Sequence, residues 1–109
     1  MAYNEQLAAR VRKVLSRRKG FAEKKMFGGI CFLLSGNMCC GVTSRELMLR
    51  LGPEGAAKAL EEPHTKKMDF TGRPMKSMIF VKPAGYKTDE DLRSWVGRAA
   101  RFASSLPAK

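Results

Sequence analysis

Three cysteines and one histidine are the residues of this chain best suited to bind a metal or to supply a nucleophile and a base. Cys39 and Cys40 are adjacent, so on a strand their side chains should point to opposite faces of a sheet. Cys31 could share a face with Cys40 as a diagonal neighbour. Tetrahedral zinc needs four converging ligands, and the sequence has no C-x-x-C pair. We therefore predict no metal site and expect three buried thiols that pack as small apolar side chains.

The same residues give little support for catalysis. A cysteine nucleophile needs a base, and nothing in the sequence ties His64, which follows Pro63 in a predicted loop, to a cysteine. Asp69 could bridge to Arg73 or hold a turn by an Asx-type bond, and the structural role is the better match. We predict no catalytic residue and a protein that is not an enzyme. An enzyme with a cysteine nucleophile is the third of three hypotheses.

The glycine-rich segment FGGICFLLSG could be a phosphate-binding loop. It lacks a Lys-Ser or Lys-Thr pair after a fitting glycine spacing, and it lacks G-x-G-x-x-G. Gly28 and Gly29 more simply let the chain bend or let another backbone approach. We predict no nucleotide and no other cofactor. The 19 uncharged residues from Met26 to Ser44 are long enough for a membrane span, but their four glycines and several polar residues argue against one.

Positive charge is the strongest compositional signal. The 109 residues include 21 Lys and Arg against 10 Asp and Glu, a net charge of +11. Such an excess favours an anionic partner. No helix-turn-helix or finger pattern is present, so we expect any nucleic-acid contact to be driven mainly by phosphates. The candidate nucleic-acid contacts are Arg10, Arg12, Lys13, Arg17, Arg18, Lys19, Lys24 and Lys25.

The compartment is predicted from the N-terminus and the cysteines. The first 20 residues, MAYNEQLAARVRKVLSRRKG, lack the apolar core of a signal peptide. An odd number of cysteines argues against a secreted disulfide framework. We therefore expect a cytoplasmic protein without a membrane partner.

Hydrophobic periodicity predicts an α+β domain. Helical spacing indicates a first helix from about Tyr3 to Arg18, which Gly20 would cap, and a last helix that begins at Thr88. The elements predicted between them are strands Gly29–Ser35 and Met38–Thr43, a strand with Leu47, Leu49 and Leu51 on one face, a helix Pro53–Glu61, a strand with Met68 and Phe70, and a buried strand Met78–Val81. The order α-β-β-β-α-β-β-α predicts an antiparallel sheet of about five strands flanked by N- and C-terminal helices and a short middle helix.

Two turns set the predicted registers. Gly36-Asn37 is a two-residue loop typical of a type I′ or II′ hairpin. Thr71-Gly72-Arg73-Pro74 is the second predicted turn. The predicted pairs across the first hairpin are Ser35 with Met38, Leu33 with Cys40, and Cys31 with Val42.

Four segments, MFGGICFLLSGNMCCGV, ELMLRLG, MDFTGRPMKSMIFV and DLRSWVGRA, occur in an order and spacing that resemble the N-terminal domain of the TfoX/Sxy family, regulators of bacterial competence. The resemblance covers about Tyr3 to Leu106. The residues that carry it are Met26, Phe27, Gly28, Gly29, Gly36, Met38, Met68, Asp69, Phe70, Gly72, Arg73, Pro74, Met75 and Trp95.

The resemblance implies a small α+β domain, like type III secretion chaperones in outline, with a cytoplasmic and non-enzymatic role. Full-length members act with the cyclic-AMP receptor protein to switch on DNA-uptake genes, and they carry a second, helical C-terminal domain. We expect residues 1–109 to be a single TfoX N-terminal-like domain without that second domain. The family motif offers no catalytic residue, and its residues are expected to form hairpins and turns or to frame a partner surface.

The other two functional hypotheses are non-enzymatic. The first is a non-enzymatic regulatory module that contacts a protein partner such as the transcription machinery, or a second copy of itself through a sheet edge or an apolar face. The alternative is a basic nucleic-acid-binding accessory protein that contacts phosphates through the Arg10–Lys25 region.

Overall fold

The computed structural model describes residues 4–26, 29–43, 46–70 and 73–107. Within them, six strands form one antiparallel sheet in the order β1-β2-β3-β4-β6-β5. The strands are β1 Phe21–Met26, β2 Gly29–Leu34, β3 Asn37–Val42, β4 Leu47–Arg50, β5 Thr65–Phe70 and β6 Arg73–Val81, and the helices are α1 Glu5–Leu15, α2 Gly52–Ala59 and α3 Asp89–Ser104. The α+β class is confirmed, and the sheet has one strand more than the approximate expectation.

The main core lies between the helices and one face of the sheet. Leu7, Val11 and Leu15 of α1 are buried there, as are Trp95 and Val96 of α3. The alternation predicted for β4 is confirmed, because its leucines join this core while Met48 lies on the other face. Trp95 is a core residue, as expected, and its indole Nε1–H donates to the carbonyl of Gly85 at 3.1 Å.

Helix ends agree with the sequence at α3 and differ at α1. Thr88 caps α3, since its side chain accepts from the Asp91 amide, and three acidic residues occupy the first turn. The predicted cap of α1 is wrong: the helix ends at Leu15 with Ser16 as cap. Gly20 instead lies just before β1, with φ +79° and its carbonyl accepting from the Ser35 amide.

The hairpin β2–β3 forms where expected, but its predicted register is wrong. The loop is Ser35-Gly36, with φ 52° and 84°, the two positive values of a type I′ turn. A bulge then leaves Cys39 unpaired, because Leu33 pairs with Met38 and Phe32 pairs with Cys40. The remaining observed pairs are Leu34 with Asn37, Cys31 with Gly41, and Ile30 with Val42.

The second predicted turn is wrong at its last two residues. Arg73 and Pro74 already belong to β6, where they pair with Phe70 and Asp69. Thr71 and Gly72 lie outside the described residues. β6 lies between β4 and β5, so the expectation of a central strand at Met78–Val81 is confirmed, but the expected cover on both sides is incomplete because Phe80 is half-buried.

β1 is the strand without a counterpart among the predicted elements. Its sequence, FAEKKM, carries three charges in six residues and shows no continuous apolar alternation. It pairs along its whole length with β2 and has no neighbour on its other side among the described strands. An edge strand needs fewer apolar side chains, which is why hydrophobic periodicity gives it little signal.

Candidate interaction surfaces

Two of the eight candidate nucleic-acid contacts are bound within the chain. Arg10 donates from Nη2 to the carbonyl of Tyr86 at 2.9 Å and forms an ion pair with Asp89 at 3.2 Å. Arg12 makes a two-bond contact with Glu23, from Nε at 2.6 Å and from Nη2 at 2.7 Å. The hydrogen bonds from Arg12 lower the pKa of Glu23, burial opposes them, and the charge of Arg12 lowers it further. Arg10 therefore links α1 to the start of α3, and Arg12 links α1 to β1.

The other six cations remain at the surface. All are exposed, and none makes an ion pair with a residue that the structure describes. They run from the last turn of α1 into the edge strand β1, so we call them the basic edge. The basic edge consists of Lys13, Arg17, Arg18, Lys19, Lys24 and Lys25.

The face of the sheet opposite the helices is lined by sulfur-containing and aromatic side chains. A small second core there contains Cys31, Met48 and Met78, with Met38 and Phe80 half-buried beside it. Every buried apolar side chain of the described helices belongs to the first core, so no described helix covers this side. We call these five residues the methionine face.

A single cross-strand row shows how the methionine face is built. Reading across the sheet, Lys24, Cys31, Gly41, Met48, Phe80 and Lys66 are successive neighbours. An added Cβ at Gly41 would lie 2.5 Å from the Met48 methyl carbon, so Met48 packs over the space that this glycine leaves. Lys66 lies over the Phe80 ring at 5.4 Å and pairs with Glu46 at 2.7 Å.

The cysteines are buried, as expected, but their predicted faces are wrong. Because of the bulge, Cys39 and Cys40 both lie in the helix-side core, whereas Cys31 lies on the opposite face. The neighbouring Cys40 thiol lowers the pKa of Cys39, burial opposes this, and the charge of Arg18 lowers the pKa further. The hydrogen bond with Cys39 and burial raise the pKa of Cys40, and burial raises that of Cys31.

His64 and the other residues of metal-binding type form no cluster within the described part of the chain. His64 is exposed in the turn before β5, with φ 67°, and its carbonyl accepts from the Lys82 amide. Within residues 4–26, 29–43, 46–70 and 73–107, no three His, Cys, Asp or Glu side chains are grouped closely enough to hold a metal ion. The three cysteines are buried side chains of the two cores.

A cavity of about 330 Å³ lies where α1 and α3 end. Leu34, Ala103 and Leu106 give it an apolar lining, and Arg18 and Lys19 supply two cations. Both neighbouring helices point their C-termini toward it, and helix C-termini carry partial negative charge. The cations therefore offset that charge, which weakens the cavity as a site for anions.

The family-motif residues fall mainly in turns and strands. Gly36 is in the β2–β3 turn and Gly29 begins β2, where an added Cβ would collide with the Val42 carbonyl. Met38 is on the methionine face and Trp95 is in the main core. Phe27, Gly28 and Gly72 lie outside the described residues. For Met26, Met68, Asp69, Phe70, Arg73, Pro74 and Met75 the structure describes the strand backbone only.

Sequence reasoning missed one buried polar residue. Asn37 is 2% exposed, and its side-chain amide donates to the carbonyl of Pro107 at 2.9 Å. The bond joins the start of β3 to the segment after α3. An asparagine beside a turn glycine indicates only a turn, so no local signal could reveal this partner 70 positions away.

The fold and surfaces define a small α+β domain whose helices cover one sheet face, with a basic edge and a methionine face as its distinctive surfaces. The family model described as the TfoX N-terminal domain matches residues 13–103, so the chain belongs to that family. Searches of curated proteins and of solved structures each gave no match. In the described part of the chain, no helix combines the length and apolarity needed to cross a bilayer.

Proposed function

We propose that this chain is a non-enzymatic regulatory module that acts in transcription regulation through protein–protein contacts. Membership of the TfoX N-terminal domain family supports a regulatory role. The proposal places the chain in the cytoplasm, and it includes a homodimer as one form of the protein contact. It assigns no cofactor and no catalytic residue.

The observation that carries the proposal is the methionine face. Met38 and Phe80 are half-buried on a sheet side that no described helix covers. Methionine side chains are flexible and polarizable, so such a surface can adapt to an apolar partner. These two half-buried side chains pack against Cys31 and Met48, which are fully buried.

Site-specific cross-linking in cells tests this function. A photo-reactive amino acid at position 38 should capture a component of the transcription machinery or a second copy of the chain. The same amino acid at position 58, an exposed site on α2, is the matched control. Met38→Glu should abolish the cross-link introduced at Phe80 and should change transcript levels in the same direction as deletion of the gene. A Met38→Glu strain with unchanged transcripts would contradict the proposal.

The second candidate function is nucleic-acid binding, which the basic edge favours. Its six exposed cations have no compensating acid among the described residues. If all six contacted phosphates, affinity would fall about a thousandfold between roughly 50 and 200 mM salt. Fluorescence anisotropy with duplex DNA and RNA oligomers at those two concentrations measures this directly.

Charge reversal locates the nucleic-acid contact. Arg17→Glu, Lys19→Glu and Lys24→Glu together should abolish binding, whereas reversal of Lys58, Lys82 and Lys87 should leave most of it. Arg12 is excluded from the set because its reversal would break the contact with Glu23. Equal losses in the two triple variants would show that binding depends on net charge and would rule out a defined surface.

A further inference from the structure

The outer edge of β1 carries backbone groups that pair with no described strand. The carbonyl of Gly20 accepts from the Ser35 amide, and these residues continue the β1–β2 register by one step. In an antiparallel ladder, every second residue forms such a pair, so Ala22 and Lys24 also face β2. The backbone N–H and C=O groups of Glu23 and Lys25 consequently face away from the sheet.

The side chains along this edge carry uncompensated positive charge. Phe21 stacks on Phe32 and Glu23 contacts Arg12, so odd-numbered residues of β1 face the helices. Lys25 therefore lies on the helix side and Lys24 on the side of the methionine face. Neither lysine makes an ion pair with a described residue.

The opposite edge of the sheet differs in charge. On β5, Lys66 is paired with Glu46 at 2.7 Å and lies over the Phe80 ring. One of the two lysines there is thus neutralised within the chain, while both lysines of β1 remain available. In the described residues, β1 is the edge that combines free backbone groups with two unpaired cations.

We infer that β1 binds an extended acidic segment of a partner protein, which adds to the sheet as a seventh strand. The segment would exchange backbone hydrogen bonds with Glu23 and Lys25, as in other cases of strand addition. Successive side chains on a strand alternate between faces, so two adjacent acidic residues would lie opposite Lys24 and Lys25. A neutral segment would leave these two lysines without acidic partners. The lysines therefore disfavour the addition of a neutral strand to this edge.

A second copy of the chain fits this edge less well. Because Glu23 and Lys25 are the residues whose backbone groups face outward, antiparallel self-pairing that joins Glu23 to Lys25 would place Lys24 opposite Lys24, and Arg12 already holds the Glu23 carboxylate through two bonds. Nucleic acid also fits less well, because phosphates offer only acceptors and would leave the outward carbonyls of β1 unused.

The inference goes beyond the proposed function, because it concerns the backbone edge of β1, whereas the proposed function rests on the side chains of Met38 and Phe80. Cross-linking at position 38 can fail while β1 binds a peptide, and the reverse is equally possible. The two experiments therefore give distinguishable results.

Peptide binding with amide hydrogen exchange tests the inference. The probe is a labelled eight-residue peptide of valine and threonine with two adjacent glutamates at its centre. On binding, the amides of Glu23 and Lys25 should gain protection, while those of Ala22 and Lys24 should already be protected by β2. A peptide methylated at alternate backbone nitrogens keeps its charge and should not bind.

Protein variants complete the test. Lys24→Glu with Lys25→Glu should weaken peptide binding about tenfold or more, given the usual strength of exposed ion pairs and the added repulsion. Lys58→Glu with Lys87→Glu changes net charge equally at exposed sites away from β1 and should have little effect. The inference is overturned if the peptide does not bind, if the methylated peptide binds equally well, or if sedimentation shows that β1 is already occupied by a second copy. It is also overturned if a DNA oligomer gives the same alternating protection.

Discussion

Gly29 and Gly97 differ in the space that an added side chain would find around them. At Gly29 a Cβ would collide with the backbone carbonyl of Val42, and a backbone atom cannot rotate away. At Gly97, in the interior of α3, nothing lies within 4 Å of the added atom. We expect Gly29→Ala to destabilise the protein by about 1–3 kcal/mol, as overpacking does. We expect Gly97→Ala to stabilise it by about 0.5–1 kcal/mol through helix propensity. Urea unfolding of both variants checks the pair, and a stable Gly29→Ala variant would show that β2 and β3 can separate at this point.

Glu23 should make stability depend on pH in the acid range. Arg12 holds the pKa of Glu23 below its ordinary value of 4.5. The stabilisation is therefore present above pH 4.5 and is lost as pH falls through the lowered pKa. Because the Arg12 side chain is 41% exposed, solvent screening limits the contribution to less than about 1 kcal/mol.

Glu23→Gln should accordingly lower the free energy of unfolding at pH 7 and have little effect at pH 3. Urea denaturation at the two pH values measures the difference, with Glu61→Gln as the control at an exposed carboxylate. An equal loss at both pH values would assign the effect to packing and not to charge.

At the level of elements, the β2–β3 turn contains a residue in an unfavourable conformation. Ser35 adopts φ 52°, a region that asparagine tolerates better than serine. Ser35→Asn should stabilise the hairpin by about 0.5 kcal/mol, whereas Gly36→Ala, at φ 84°, should cost about 1 kcal/mol. Thermal unfolding of the two variants tests both signs. A loss of stability in Ser35→Asn would indicate that the Ser35 hydroxyl contributes to the contact with Gly20.

The elements also show what local sequence could and could not predict. α3 was predictable because its cap, acidic first turn and apolar stripe all lie within one segment. The presence of the hairpin could be predicted. Its register could not, because it depends on the bulge at Cys39, which no residue of the turn indicates. β1 gave no apolar alternation, since the sheet supports it from one side only. The positive charge of the basic edge could be predicted from the sequence. The ion pairs of Arg10 and Arg12 could not, because their acidic partners lie in other elements of the chain.

For the whole molecule, the net charge of +11 should make stability increase with salt. Repulsion among like charges disfavours the compact state, and screening within about 10 Å at 0.1 M relieves it. The described surface ion pairs are weakened by the same screening, but each contributes little. We expect the unfolding temperature to rise between about 10 and 200 mM sodium chloride. Differential scanning calorimetry measures it, and a fall would mean that the ion pairs of Arg10, Arg12, Lys66 and Arg98 outweigh the repulsion.

The position of α3 in the chain has a consequence for biosynthesis. All six described strands are complete at Val81, yet the buried side chains that close the main core arrive with α3, which extends to Ser104. At about 5–20 residues per second, the ribosome needs roughly one to five seconds to make that last stretch. During this interval α1 and α2 are already made, but the part of the main core that α3 covers is still open. A nascent chain at this stage should be a substrate for ribosome-associated chaperones, and synonymous codons that slow translation between β6 and α3 should lower the yield of folded protein.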